Sequence, residues 1–287
     1  MFLGVHVAKE SHVLDVKKSI PLDEAIKRDI DALKLNALQI FVYGPQSLIP
    51  NKINIEKISN LTEKLSLSVH SAYPTTGIWK INKNNIDSKE SKNKILSLSG
   101  QLKLCKEIGA WGLVVHISRV EPESVAETME LLKYSIKKEK VTLVLEMIAT
   151  KSHPSLSYET PEKINYLTSL IKGKYWVWCV DTAHIWGCGV DITSYDNMKK
   201  WLDAIDKKEK IKMFHLNGSS SNLGDGKDKH EIIFSKNDNI WYGVEPKKSG
   251  VRAIIEFAKK YNVDVIMEIN RGAEKDTRNA IDIINDF

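Results

Sequence analysis

Eight short apolar segments recur along this chain, and each is followed by a stretch in which apolar residues have helical spacing. The segments are Phe2–Val7, Ala37–Tyr43, Leu67–His70, Gly112–Ser118, Val141–Met147, Tyr175–Asp181, Ile211–Asn217 and Val263–Ile269. Strands that alternate with helices predict βαβ units and a parallel sheet. Eight units within 287 residues predict an α/β fold, a (β/α)8 or TIM barrel, with residues 1–287 forming one domain. The alternative is a doubly wound open sheet, but "VHVAKESHV" lacks the glycine-rich loop expected after its first strand.

Composition narrows the class of protein further. No run of about 18 apolar residues is present, so neither a membrane span nor a membrane partner is expected. The first residues, "MFLGVHVAKES", lack the basic segment and long apolar region of a signal peptide, so we expect an intracellular protein of the cytoplasm or nucleus. The three cysteines, Cys105, Cys179 and Cys188, argue against a disulfide framework. The net charge of +5 fits a phosphate-rich partner, although many proteins with no nucleic-acid role are as basic.

Polar residues fall at or near the ends of six of the eight predicted strands. They are His70, His116, Glu146, Asp181, His215 and Glu268. Taken singly, each histidine could be a hydrogen-bonded core residue and each acid a paired core acid. The carboxyl ends of barrel strands converge on one face, however, and loops after the strands build catalytic sites there. Their shared position therefore predicts a common site.

Three further candidates lie beyond the strand ends. His184 follows Asp181 by three residues, which fits a metal site, a catalytic dyad or a plain loop, while the flanking cysteines allow a disulfide. Asp228 and His230 lie in the long polar segment after strand seven, and another long polar segment follows strand three. Such segments are usually functional or disordered. A solvated surface is the alternative for Asp228 and His230.

Electrostatics favours metal ions at this site. Carboxylates gathered in a partly buried place repel one another and lose solvation, and few lysines lie near these strand ends. Imidazole with carboxylate is the ligand mixture of zinc or a similar transition metal. Several divalent ions would outweigh the four acids and attract an anion such as a phosphodiester. A single ion would leave the site negative, which suits a neutral sugar.

The chain resembles endonuclease IV, a zinc-dependent family within the xylose-isomerase-like superfamily that cuts DNA at abasic sites. The resemblance spans essentially the whole length and is carried by "GVHV", "QIFVYGPQ", "VHSAY", "VVHIS", "LEM", "DTAH", "FHLN", "DKH" and "MEIN". It implies a single catalytic domain that binds three zinc ions (Zn2+). By this resemblance the first ion is held by His70, His116 and Glu146; the second by Glu146, Asp181, His215 and Glu268; and the third by His184, Asp228 and His230.

The resemblance also implies an activity and a partner. The partner is double-stranded DNA with abasic sites, with no obligate protein partner, and the products are a 3′-OH and a 5′-deoxyribose phosphate. The mechanism implied by the resemblance is that a hydroxide between two zinc ions attacks the phosphorus 5′ of the abasic sugar, while the third ion stabilises the leaving 3′-oxygen. Glu146 and Glu268 are the candidate catalytic residues. The candidate DNA contacts are Tyr73, which matches a wedge position, with Gln46, Lys80, Lys227, Lys83 and Trp79.

Two other functions remain open. A sugar isomerase or epimerase on the same barrel would need one metal ion, held by the acids and histidine of strands five to eight. The "DTAH" motif fits both groups of enzymes, whereas His70, His116 and the Asp-x-His segment favour the nuclease. The chain could also be a non-catalytic DNA-binding protein that keeps metals for stability.

Gln46 stands where the family usually has arginine, and the loops after strands four, five and seven also differ, which leaves the lesion range open. His6, near a strand end, is a candidate support for a ligand, while His12 and His153 have no assigned role.

Overall fold

The computed structural model describes residues 1–7, 20–117, 119–150, 156–268 and 274–287. Eight parallel strands close into a barrel, which confirms the predicted (β/α)8 fold. These strands are β1 (Phe2–Val7), β2 (Ala37–Phe41), β3 (Ser66–His70), β4 (Gly112–Ile117), β5 (Thr142–Met147), β6 (Trp176–Asp181), β7 (Ile211–His215) and β10 (Asp264–Met267). They pair in chain order, and β10 closes the ring against β1.

Helices surround the barrel. The α-helices in the described ranges are α1 (Leu22–Leu33), α2 (Ile55–Thr62), α3 (Lys89–Glu107), α4 (Pro122–Glu139), α5 (Pro161–Leu170), α6 (Thr182–Gly187), α7 (Tyr195–Asp203), α8 (Gly250–Tyr261) and α9 (Glu274–Asn285), and a 3-10 helix, Tyr73–Lys80, follows β3. The side chains of Asn54, Ser88 and Ser194 cap the first turns of α2, α3 and α7. Proline, which needs no hydrogen-bond acceptor at the first helical position, begins α4 and α5. Within these ranges, every helix is too short or too polar to span a lipid bilayer.

Some strands end earlier than their apolar sequence predicts. The seventh apolar segment continues to Asn217, but β7 ends at His215 because the backbone N–H of Asn217 donates to Thr182 Oγ1 at 2.9 Å. Likewise β2 ends at Phe41, and Tyr43 forms an isolated bridge with Pro50. The predicted eighth strand began at residue 263, whereas β10 begins at Asp264, and residues 269–273 lie outside the described ranges. Apolar residues therefore indicate burial, which extends beyond the ends of the strands.

A separate apolar layer fills the barrel interior. Its members are Ala37, Val114, Val144, Val177, Cys179, Met213 and Ile266. Val114 and Val144 lie two residues before His116 and Glu146, and Met213 lies two before His215. Because side chains alternate across a strand, residues two apart share a face. This layer therefore forms an apolar floor directly beneath the polar residues at the carboxyl end of the barrel.

The long segment after β7 is folded into a small hairpin. Strands β8 (Gly218–Ser219) and β9 (His230–Glu231) pair antiparallel. The buried carboxylate of Asp238 fastens the base of the hairpin by accepting the backbone N–H groups of Ser219, Phe234 and Ile240 at 2.9–3.1 Å. The hairpin brings the segment from 228 to 230 back over the barrel.

Asp238→Ala is expected to lower the free energy of unfolding by about 2–4 kcal/mol, because several buried N–H groups would lose their acceptor. Equilibrium urea unfolding measures the change. Asp238→Asn retains one carbonyl oxygen as an acceptor, so its loss should be smaller. Equal stability of the alanine variant and the unaltered protein would contradict this role.

Candidate metal centre

The structure brings all nine predicted ligands to the carboxyl-terminal mouth of the barrel. His70, His116, Glu146, Asp181 and His215 lie in the last two positions of strands β3 to β7, and Glu268 follows β10. His184 lies in α6, and the other two lie on or beside β9. Donor atoms of eight of them form overlapping groups in which they lie close enough together to bind metal ions, and the ninth residue, Asp228, contacts two of the histidines.

The first group contains two histidines and one carboxylate. Glu146 Oε2 lies 3.3 Å from Nε2 of His70 and 3.2 Å from Nε2 of His116. A hydrogen bond at the other ring nitrogen orients the imidazole of His70: its Nδ1 donates to the carbonyl oxygen of Ser71 at 2.8 Å. That hydrogen bond leaves Nε2 directed toward Glu146, as in metal-binding histidines held by a backbone carbonyl.

The second group shares Glu146 with the first. Nδ1 of His215 lies 3.1 Å from Glu146 Oε1, 3.7 Å from Asp181 Oδ2 and 3.5 Å from Glu268 Oε2. The two oxygens of Glu146 thus face different groups of histidines. This is the arrangement that a carboxylate bridging two cations requires.

The third group lies at the edge of the mouth. Asp228 contacts both of its histidines, with 3.4 Å from Oδ2 to His184 Nε2 and 2.8 Å from Oδ1 to His230 Nε2. Nδ1 of His184 donates to the carbonyl oxygen of Met147 at 2.7 Å, which leaves Nε2 directed toward Asp228. Asp181 Oδ2 lies 3.5 Å from His230 Nε2, so this acid borders the second and third groups.

These charges stabilise one another in ionised form. Burial disfavours the ionised carboxyls of Glu146 and Glu268, but neighbouring histidines, His215 first, outweigh it and hold the pKa of both well below the ordinary range. Burial also opposes protonation of His184, yet the charge of Asp181 outweighs it and raises the pKa of the imidazole well above its ordinary value. Metal ions would replace such protons, since bound metal and proton compete for the same lone pair.

The donors present fit divalent metal ions of the zinc type. Two buried donor atoms, Glu146 Oε2 and His184 Nε2, have no partner of acceptable hydrogen-bond geometry within the described ranges. Both point into the centre, toward other donor atoms within 3.5 Å. Imidazole and carboxylate together are common zinc ligands, and unsatisfied buried lone pairs are stabilised by a cation.

Further residues hold the ligands in place without being ligands themselves. Nδ2 of Asn217, which had no predicted role, donates to Asp181 Oδ2 at 2.8 Å and to Glu268 Oε2 at 3.2 Å, while its Oδ1 accepts the backbone N–H of Glu268. His6, which we expected near a ligand, has its Nδ1 3.1 Å from Glu268 Oε1. The signal in the sequence that could have identified Asn217 and His6 was a polar residue at or just beyond a strand end. That signal does not reveal which ligand the residue contacts.

The predicted DNA contacts lie around the mouth at different depths. Tyr73 is 39% exposed, and its ring centroid lies 5.4 Å from that of His116 and 5.6 Å from that of His70. Gln46 is exposed on the loop after β2, and in the same loop the carbonyl oxygen of Pro45 accepts the backbone N–H of Tyr73, which begins the 3-10 helix after β3. These contacts place Tyr73 beside the first group of donors.

Lysines occupy more outward positions. Lys80 and Lys83 are exposed after β3, and Lys227 is exposed before β9, with its Nζ 3.4 Å from Asp225 Oδ2. The assignment of Trp79 as a DNA contact is wrong, because its side chain is buried. Its indole N–H donates to the carbonyl oxygen of His116 at 2.7 Å. Trp79 therefore stabilises the end of β4 through this hydrogen bond.

The cysteines form no disulfide in the structure. Cys179 lies in the apolar floor, where burial raises the pKa of its thiol to about 12. Cys188 Sγ accepts the backbone N–H of Thr150 at 3.4 Å. The disulfide alternative for the segment around Asp181 is thereby removed.

Sequence matches extend over most of the chain. A family profile described as a xylose isomerase-like TIM barrel matches residues 28–244. A probable AP endonuclease of African swine fever virus is 30% identical over 257 residues, which cover 85% of this chain and 82% of the viral protein. A probable endonuclease 4 of Thermosipho melanesiensis is 29% identical over 221 residues, covering 69% of this chain and 73% of that protein.

Solved structures extend the similarity to nearly the whole chain. The crystal structure of AsfvAP:AG has a TM-score of 0.78 and 26% identity, covering 98% of this chain and 95% of the other. Endonuclease IV from Thermus thermophilus has a TM-score of 0.73 with 22% identity and complete coverage of both chains. A D-tagatose 3-epimerase-like protein, at 16% identity and a TM-score of 0.66, covers 100% of this chain and 99% of its own and shares the fold.

The stability of the metal-free protein is expected to fall as pH rises from about 6.5 toward 9. Burial opposes protonation of His230, but the charge of Asp181 and the hydrogen bond to Asp228 outweigh it and raise the pKa of this histidine to about 9. A raised pKa gives stability that is fully present below the unfolded value of 6.5 and is lost as pH passes the folded value.

Urea unfolding of chelator-stripped protein across this pH range measures the effect. The depressed pKa values of Glu146 and Glu268 keep both acids ionised throughout the range, so they add no slope there. His230→Asn should show a shallower decline. An identical pH dependence for the variant and the unaltered protein would refute the assignment.

Proposed function

This chain belongs to the endonuclease IV-like family of xylose isomerase-like TIM barrels, and from that membership we propose that it is a DNA repair endonuclease. The proposed reaction hydrolyses the phosphodiester 5′ to an abasic site in duplex DNA, leaving a 3′-OH and a 5′-deoxyribose phosphate. Residues 1–287 would act as a single catalytic domain without an obligate protein partner. Two of the relatives are called a probable AP endonuclease and a probable endonuclease 4.

The observation that carries the proposal is the first group of donors. A one-metal sugar enzyme needs only the second group, so it does not require His70 and His116. Both histidines nevertheless lie within 3.3 Å of Glu146 Oε2, and Asp228 lies within 3.4 Å of two further histidines. Three sets of ligands suit a phosphodiester better than a neutral sugar, because several cations neutralise its charge.

We assign one Zn2+ to each set. His70, His116 and Glu146 would hold the first ion. The second would be held by Glu146, Asp181, His215 and Glu268, and the third by His184, Asp228 and His230. When bound, such ions lower the pKa of water and neutralise charge on the attacked and leaving oxygens of a phosphodiester.

The two candidate catalytic carboxylates have different surroundings. Glu146 is buried and divides its oxygens between the first and second groups. Glu268 is 16% exposed and is held by Asn217 and His6, so water and substrate can reach it from the mouth. We propose that Glu146 orients the attacking water and that Glu268 accepts its proton. Burial opposes ionisation of both carboxyls, but neighbouring histidines, His215 first, outweigh it and hold the pKa of both well below the ordinary range.

The decisive experiment combines metal analysis with cleavage of a duplex oligonucleotide that contains one tetrahydrofuran abasic analogue. The protein should hold close to three zinc ions and cut once, 5′ to the analogue. Glu146→Gln should reduce the cleavage rate on the order of a thousandfold or more. Glu130→Gln, at an exposed acid on α4 that pairs with Lys133, is the matched control and should leave it unchanged.

Two outcomes would reject the nuclease. One is a single bound ion with no cleavage; conversion of a ketose or aldose that is indifferent to His116→Ala would then support the sugar enzyme, whose four ligands are also present. The other is lesion binding that survives Glu146→Gln while the unaltered protein cuts under no metal. That result would indicate a non-catalytic DNA-binding protein.

Tyr73→Ala is expected to weaken binding of abasic duplex about tenfold to a hundredfold, because an aromatic ring that stacks on a base contributes about 1–3 kcal/mol. Tyr73→Phe retains the ring and should bind nearly as well as the unaltered protein. Fluorescence anisotropy with matched abasic and undamaged duplexes measures both affinities. The wedge role would be rejected by equal binding of the alanine variant at unchanged zinc content.

A further inference from the structure

Strands β1 and β2 contribute no predicted metal ligand, yet each places a polar side chain in the barrel interior. His6 on β1 contacts Glu268, and Gln39 on β2 contacts His215. His6 and Gln39 face each other in the register of β1 and β2. Gln39 is fully buried, which is costly for an amide unless it makes hydrogen bonds.

The side-chain amide of Gln39 lies beside Nε2 of the His215 ring. Its Nε2 is 3.0 Å from Nε2 of His215 and 3.4 Å from the sulfur of Met213. Its Oε1 has no hydrogen-bond partner among the described residues. A half-turn of the amide exchanges oxygen and nitrogen at nearly the same positions, so the partner's protonation decides which of them faces the ring.

The other ring nitrogen of His215 fixes that protonation. Nδ1 is the atom that faces the carboxylates of Glu146, Asp181 and Glu268. A metal ion held with these acids must take the lone pair of Nδ1, so the proton of the neutral ring must lie on Nε2. A buried N–H without an acceptor costs about 1–3 kcal/mol. The amide end of Gln39, 3.0 Å from Nε2 of His215, is placed to accept it.

We propose that Gln39 is a positioning residue for the shared metal pair: its Oε1 accepts the Nε2–H of His215 and so presents Nδ1 to the ion. This inference rests on the metal binding in the proposed function, but not on cleavage of DNA. Histidine ligands commonly donate their second N–H to a carboxylate, a backbone carbonyl or water. Here the acceptor is a side-chain amide from a strand that supplies no ligand of its own.

The chemistry of position 39 explains why an amide suits it. Methionine has a similar length but offers no strong acceptor, so the N–H of His215 would be left buried and unpaired. Glutamate would accept the same proton while adding a negative charge beneath the ions. The two substitutions therefore separate loss of the acceptor from loss of side-chain volume.

The test measures zinc affinity by competition with chelators of graded strength, in the absence of DNA. Gln39→Met should weaken the binding of at least one zinc ion about tenfold to a hundredfold. Gln39→Glu should bind that ion at least as tightly as the unaltered protein. Gln101→Met is the matched control, because Gln101 is also fully buried but bonds Ala72 and Thr75. It should leave zinc affinity unchanged.

A spectroscopic measurement tests the same proposal without any variant. In ¹⁵N NMR of the zinc-loaded protein, the ring of His215 should carry its proton on Nε2, in slow exchange with water. A proton on Nδ1 would overturn the proposal, as would equal zinc affinity for Gln39→Met, Gln101→Met and the unaltered protein. Absence of DNA cleavage would instead reject the proposed nuclease and leave these zinc results standing.

Discussion

The buried acids and histidines at the mouth of the barrel must balance one another's charge, and the rest of this molecule depends on that constraint. Glu146, Asp181 and His215 are almost wholly buried, where a single unpaired charge would cost several kcal/mol. Each is instead surrounded by groups of opposite sign within 4 Å. Such compensation succeeds only if every side chain is held in place, so the fold must fix the positions of distant segments closely.

Barrel closure supplies that precision through strand register. His116 lies opposite Glu146 between β4 and β5, and Asp181 lies opposite His215 between β6 and β7. Neighbouring strands lie about 5 Å apart, so register alone brings these donors near each other. The apolar floor beneath them excludes water from below, which strengthens every charge interaction above it.

The sequence predicted what depends on strand position and missed what depends on orientation. An acid or a histidine at the end of an apolar strand can be recognised from the sequence alone. All nine candidate metal ligands lie at the carboxyl-terminal mouth of the barrel. No pattern predicts that Asn217 joins Asp181 to Glu268, because those contacts connect segments far apart in the chain. The prediction that Trp79 contacts DNA is wrong because this residue, although it lies in a polar segment, has a buried side chain. The three-residue spacing of Asp181 and His184 also has a local cause, since Asp181 Oδ1 accepts the N–H of His184 and begins α6.

The ligands differ in how they are attached to the fold. Six belong to the barrel strand ends or the residue following them, and His184 sits on a short helix capped by one of those six. Asp228 and His230 instead come from a hairpin fastened at its base by Asp238, which lies in the same connection between β7 and β10. Two of the three donors in the third group are therefore modular. An insertion or deletion within the one loop that carries Asp228 and His230 could add or remove them, leaving His184, the barrel and the first two groups of donors intact.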